Sequence, residues 1–146
     1  KKFYKTFFKK IHNIMTDEGI CLLHTIGSVD PPGPVQPWIG KRIFPGGIIP
    51  SLSDLVKPIE KTGLIIADCE TLIHHYDKTL KAWLNRFLKN KEKAKFMYNK
   101  EFVRMWEFYL ASCSAAFEFR DLVVYQLQLV KNFTAPPSNR RNYIYQ

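Results

Sequence analysis

Apolar positions along the chain change period several times, and each change marks an element. Phe3, Phe7, Phe8, Ile11, Ile14 and Met15 recur at helical spacing with lysines between them, which predicts an amphipathic first helix. Thr16-Asp17-Glu18-Gly19 ends it and turns the chain into Ile20-Cys21-Leu22-Leu23. That continuous apolar run predicts a strand buried on both faces, as in a parallel sheet. His24, Thr25, Ile26 and Gly27 then fall at the strand's C-terminal end, where open α/β sheets bind ligands. Helix, short loop and buried strand make one αβ unit, whose parallel neighbours are expected upstream of Lys1.

The next stretch changes character. Val29 to Pro37 carries four prolines, which predicts an extended loop without regular structure. It continues through Trp38-Ile39-Gly40-Lys41-Arg42-Ile43-Phe44-Pro45-Gly46-Gly47 to Pro50-Ser51. Such a loop suits the wall of an apolar pocket, and equally a surface loop pinned by Trp38 and Phe44. Ser51 and Asp54 have capping-box spacing, opening a helix towards Lys61 that Pro58 kinks or shortens and Gly63 stops. Leu64 to Cys69 reads as the next strand.

Asp77 is read as the cap of a third helix, on which Leu80, Trp83, Leu84, Phe87 and Leu88 keep an i, i+3, i+4, i+7, i+8 pattern. A lysine-rich stretch separates it from a fourth helix. Asn99 caps that helix, and Phe102, Met105, Trp106, Tyr109, Leu110, Cys113 and Phe117 form its apolar face. In Leu122–Val130, Val123, Tyr125, Leu127 and Leu129 alternate with Val124, Gln126 and Gln128, a strand pattern. From Phe133 onward, with Pro136-Pro137, the chain reads as a loose basic tail.

Composition narrows the class. With 146 residues, 46% of them hydrophobic, the chain suffices for one domain with a real core. No apolar run approaches the length needed to cross a bilayer. The formal net charge of +9 is clustered. Lys1, Lys2, Lys5, Lys9 and Lys10 open the chain, Lys89, Lys91, Lys93, Lys95 and Lys100 form a second group, and Arg140 and Arg141 lie in the tail. Such an excess favours anionic partners, a membrane surface or nucleic acid, while any one cluster also reads as a solvated helix face. Cys21, Cys69 and Cys113 are far apart and have no zinc or redox spacing, so they read as buried reduced thiols of a cytosolic protein.

His24 is the strongest single candidate for chemistry, able to bind an anion or move a proton. Spacing alone favours a structural role, with the ring satisfied by hydrogen bonds. The adjacent His74 and His75 invite a metal reading, but sequence neighbours point apart and no carboxylate or thiol cluster accompanies them. Tyr76, at a strand-to-helix junction, suits a bond to a ligand or only to a nearby carbonyl. There is no nucleophile-elbow signature, no Walker-type loop and no glycine-rich strand–turn–helix fingerprint. Composition and periodicity reach a basic α/β domain with a candidate site near His24.

Several motifs in one order go further. Leu22-Leu23-His24-Thr25-Ile26-Gly27-Ser28, then Trp38-Ile39, Ile43-Phe44-Pro45-Gly46-Gly47 and Pro50-Ser51, resemble the cyclopropane-fatty-acyl-phospholipid synthases, a family similar to the mycolic acid cyclopropane synthases. Tyr76-Asp77-Lys78-Thr79-Leu80-Lys81-Ala82-Trp83, Arg104 to Cys113 and Ala116-Phe117 match the same family in the same order. The likeness runs from Tyr4 to about Lys131. Related small-molecule N-methyltransferases share the Phe-Pro-Gly-Gly-like loop and resemble the rest less closely.

The resemblance implies the C-terminal part of a seven-stranded, Rossmann-like S-adenosylmethionine-dependent methyltransferase fold. Ile20–Leu23 would be its fifth strand, Leu64–Cys69 its sixth and Leu122–Val130 its antiparallel seventh, with a helical insertion before that last strand. It implies methyl transfer from S-adenosylmethionine to a cis double bond of an unsaturated phospholipid acyl chain, followed by closure to a cyclopropane ring. Bicarbonate would be the base, held by a glutamate and, mapped onto this chain, by His24, the amide of Ile26 and Tyr76. The glutamate motif and the glycine-rich cofactor loop would fall upstream of Lys1. Residues 1–131 are therefore expected to be the C-terminal portion of a catalytic domain, inactive alone, and 132–146 a basic tail. No cofactor-binding or metal-binding residue is assigned. The expected partners are acyl chains and an anionic membrane surface, with a cytoplasmic, membrane-peripheral location, no nucleic acid, and possible homo-oligomers. Gly40 and Arg42 depart from the family pattern. A basic, non-catalytic membrane- or nucleic-acid-binding module is the alternative.

Overall fold

The structure, a computed structural model, describes residues 3–135 and 141–144, the last two by backbone only. The first amphipathic pattern folds as α1, Tyr4–Ile14. Its stripe turns Phe8 inward and leaves Phe3, Phe7 and Ile14 exposed. β1 spans Ile20–Ser28, longer than the apolar run. The proline-rich stretch is less irregular than its composition implies. Gly33–Pro34 (β2) pairs with Ile48–Ile49 (β3), and between them Pro37–Arg42 forms a short helix, α2. Pro37 takes the first helical position, where no N–H is needed, and the Gln36 side chain accepts from Ile39 N at 2.9 Å.

α3 is Leu52–Glu60, with Pro58 accommodated inside it. The capping box does not form, because Ser51 Oγ instead bonds Ser53 Oγ at 2.7 Å. β4 follows as Ile65–Leu72 and α4 as His75–Lys89. α4 starts two residues before Asp77; its cap position is His74, at φ 55°, a left-handed conformation that histidine tolerates better than most residues. Asp77 is instead a buried first-turn residue bonded to Lys81 at 3.1 Å. The lysine-rich stretch is itself helical, α5, Lys91–Met97. Asn99 Oδ1 accepts from Phe102 N at 2.7 Å and caps α6, Lys100–Phe119, as its side-chain chemistry predicts. β5, Leu122–Val130, closes the sheet.

The main sheet has the order β1-β5-β4, with β5 antiparallel to both neighbours. β5 is therefore the strand flanked on both sides. β1 pairs along its length with β5; its other edge carries only the Ser28–Ser51 bridge among the described residues, and Ile20, Leu22 and Ile26 are exposed. Against one face pack α1 and α3, enclosing Phe8, Leu55 and Ile59 with Val123, Tyr125, Leu127 and Leu129. On the other face, α4 and α6 cover only the end that carries Leu72, Leu122 and Val124. The remainder of that face carries His24, Gln126, Gln128, Asp68 and Glu70, register neighbours across three strands.

A bulge puts the acids there. Register slips between Ile66 and Asp68, leaving Ala67 as the extra residue. Ile66 faces the α1/α3 core, and the slip turns Asp68 and Glu70 to the opposite, polar side. The tail is tied down rather than loose at two points. Asn132 Nδ2 donates to Asp17 O at 2.8 Å, and Arg141 forks onto Asp68 at 2.7 and 3.0 Å. Pro136-Pro137, Arg140, Lys1 and Lys2 lie outside the described residues.

Candidate functional site

The stretch from His24 to Ser28 is held in place by its far end. Tyr125 Oη donates to Ser28 O at 2.9 Å, Ser28 Oγ donates to Asp121 Oδ2 at 2.8 Å, and Ser28 N donates to Pro50 O at 2.9 Å. Tyr125 crosses so close over Gly27 that a Cβ there would enter its ring, and would lie 3.0 Å from Pro50 O. Only glycine lets the tyrosine reach the strand end.

The Ser28–Pro50 bond also fixes the direction of the neighbouring amides. It points to the outer edge of β1, away from β5. Amide directions repeat every second residue along an unbulged strand, and the β1–β5 register is unbroken from Ile20 to Ser28. The N–H groups of Ile26 and His24 therefore face the outer edge as well.

His24 lies in mid-strand and not past a strand end, because pairing with β5 continues through Ser28. Its ring is exposed and meets Gln126, its register partner, with Nδ1 3.1 Å from Gln126 Nε2. With the carboxamide placed this way its NH2 donates to Nδ1, an arrangement that suits the tautomer with its proton on Nε2. Tyr76 stands in the first turn of α4, half-buried against Phe117 (5.2 Å between ring centroids) and Trp83 (6.0 Å). It belongs to the cluster that covers Val124, the register partner of Ile26. The side chains of His24 and Ile26 thus lie on the sheet face over which the layer holding Tyr76 is packed.

Around them the walls are aromatic. Trp38 packs on Phe108 at 4.5 Å and Phe44 on Tyr109 at 5.9 Å, so α2 and the loop after it are pinned to α6. Gly40 leaves room for Val35, whose Cγ2 a Cβ would meet at 3.1 Å, and Arg42 reaches Glu101 at 3.8 Å. Burial pushes the Tyr109 hydroxyl above its ordinary value, helped by Cys113 and Tyr76, and pushes the Cys113 thiol up to about 11. Cys113 is thereby kept as an inert thiol, whereas Cys69 is exposed rather than buried. No group of three or more metal-ligating side chains occurs among the described residues, and no described helix is long and apolar enough to cross a membrane.

Gln126 escaped the reading of the sequence as a functional residue. In an alternating run its polarity looked like the solvent side of a strand; only the antiparallel register reveals that it faces His24.

With this geometry in view, comparison with known proteins is decisive. The family model for mycolic acid cyclopropane synthetase matches residues 1–127. The chain belongs to this family. It is 38% identical over 126 residues to the cyclopropane-fatty-acyl-phospholipid synthase of Escherichia coli (strain K12), covering 86% of this chain and 33% of that enzyme. The cyclopropane synthase MmaA2 of Mycobacterium tuberculosis superposes with a TM-score of 0.79 at 26% identity, over 88% of this chain and 50% of that one. The mycolic acid cyclopropane synthase CmaA1, solved with SAH and CTAB, gives 0.78 at 26% identity, over the same 88% and 50%. The chain therefore spans between a third and a half of the length of these three relatives. Its helix-covered antiparallel sheet is part of the S-adenosylmethionine-dependent methyltransferase fold of these neighbours.

Proposed function

We propose that this chain forms the acyl-chain and base-holding half of a lipid C-methyltransferase that converts cis double bonds of phospholipid acyl chains to cyclopropanes. The observation that carries the reading is the donor set: the Ile26 amide at the outer edge of β1, the His24 ring on the adjoining face and the phenol of Tyr76 in the layer over Val124. A backbone N–H, a ring N–H and a phenol O–H can each donate to an oxyanion, and bicarbonate fits. Bound there, bicarbonate would supply the base that removes a proton from the methylated substrate; S-adenosylmethionine would be held by residues this chain does not contribute.

The chain's own residues have three tasks. Gln126 fixes the tautomer that lets His24 donate from Nε2. Ile26 contributes a backbone donor that costs no side-chain ordering. Phe117, Trp83 and their neighbours keep water from a cationic intermediate on the substrate. General-base help of this kind is worth about 10²–10⁴ in rate.

The test is cyclopropane content, by fatty-acid analysis, in cells making the enzyme that carries these residues. His24→Ala and Tyr76→Phe should each lower the yield at least about a hundredfold. Unchanged yield from both would remove this site from the mechanism. The 146 residues alone should transfer no methyl group to lipid vesicles.

A further inference from the structure

α5 is the least embedded helix of the structure. None of its residues is buried, and where it ends Phe96 is 92% exposed, with Met97 and Tyr98 each at 61%. An apolar tip left in water marks a contact surface. Lysines ring it. Lys91 is drawn down to Glu107 at 2.8 Å and pins α5 to α6, and Lys95 meets only the exposed Glu92, at 3.5 Å. Lys89, Lys93 and Lys100 are exposed, and among the described residues none takes part in an ion pair.

The tip continues inward. Tyr98 stacks on Phe102 at 4.3 Å, Phe102 on Trp106 at 5.8 Å, and Trp106 packs on Tyr109 at 5.1 Å. Trp106 and Tyr109 belong to the layer over Val124 that also holds Tyr76. Beside this row a cleft of about 680 Å³ is lined by Trp38, Met105 and Phe108 together with Arg42, Lys100 and Arg104 and one acid, Glu101.

We propose that the α5–α6 corner is the surface by which the protein docks on an anionic phospholipid bilayer. The tip enters the apolar boundary and the lysines sit on headgroup phosphates. The choice of partner rests on the lipid-substrate reading above, but the surface itself is argued from exposure and charge. Nucleic acid would use the lysines and leave Phe96 and Met97 without a role. A bilayer uses both, since it offers negative charge directly above hydrocarbon.

Co-sedimentation of the chain with vesicles of phosphatidylcholine alone, or with phosphatidylglycerol added, tests this. Wild type should bind the anionic vesicles and lose them as salt rises. Each lysine near such a surface is worth about fivefold in partition, so Lys93→Glu with Lys95→Glu should weaken binding at least about tenfold. Phe96→Asp with Met97→Asp should do the same, and both positions are too exposed for the fold to depend on them. Lys9→Glu with Lys10→Glu, an equal charge change on exposed positions of α1, should cost less than about threefold. The proposal is overturned if wild type ignores anionic vesicles, if the tip variants bind as wild type does, if the α1 variant loses as much, or if duplex DNA competes the vesicles away. Vesicle binding through this corner by an enzyme that transfers no methyl group would sink the catalytic reading and leave this surface standing.

Discussion

The two faces of the sheet are built on different rules. Against α1 and α3, β5 presents Val123, Tyr125, Leu127 and Leu129, all at most 3% exposed, and the layer is closed by apolar packing. On the other side the same strand presents Val124, Gln126 and Gln128, and the helices over it stop short. That layer is also fastened by charge. Lys81 bridges Asp77 at 3.1 Å and Glu118 at 2.7 Å, joining α4 to α6. One face stores stability and the other keeps polar groups reachable. A single strand serves both because its side chains alternate.

The sharpest way to break the comparison is to cut the same strand on each side. Leu127→Ala removes a side chain with no exposed surface from the closed face and should cost about 2–5 kcal/mol in denaturant unfolding. Gln126→Leu, one residue away on the other face, should cost less than about 1 kcal/mol. In the enzyme it should still lower turnover by about 10–100-fold, the scale seen when the outer partner of a ligating histidine is lost. Gln126→Glu offers His24 Nδ1 only an acceptor, so ¹⁵N spectra of the ring should show the proton moved from Nε2 to Nδ1. A ring already protonated on Nδ1 in the wild type would mean that the amide is turned over and that Gln126 does not set the donor.

The smallest effect concerns the charged layer. Burial raises the Asp77 carboxyl, but the hydrogen bond and charge of Lys81, with help from Lys78, outweigh it and leave the group below its ordinary 3.8. Lys81 is held above its ordinary 10.5 by its bonds to Glu118 and Asp77. A depressed carboxylate stabilises the fold above its unfolded pKa and loses that contribution as pH falls through the folded one. A raised ammonium stabilises below 10.5 and loses its contribution as pH rises through the folded value. Thermal unfolding of Asp77→Asn should therefore fall below wild type across the neutral range and converge with it below pH 3.8. A constant gap at all pH values would mean that the pair is not what joins these helices.

Much of this was legible beforehand, for identifiable reasons. α4 and α6 announce themselves because their apolar residues keep a 3.6 period for several turns, and Asn99 caps as its chemistry predicts. The motif order led through resemblance to an antiparallel last strand, and β5 runs antiparallel to both neighbours. Pattern reached less far where burial depends on neighbours. Ile20–Leu23, expected to have parallel neighbours upstream of Lys1, has one long edge that no described strand covers, while the Gln-bearing Leu122–Val130 is central. Ser51 found a closer partner in Ser53 than in its own helix. That His24, Ile26 and Tyr76 act together was implied by family likeness alone; periodicity could not reach it, because how strands and helices are placed against one another depends on register.

Ala67 shows how much rests on register. It carries a single methyl group, bonds nothing through its side chain, and is the only unmatched residue of β4. Because it stands outside the pairing, Ile66 and Asp68 occupy opposite faces although they are two residues apart. Drawing Ala67 into the ladder opposite Gln128 would turn both carboxylates to the apolar face, at a cost of several kcal/mol each unless they were neutralised. Loss of its codon would instead make Ile66 and Asp68 neighbours in a regular strand, and every later residue would keep its face. Substitution and deletion at this position should therefore both leave the acids on the polar side.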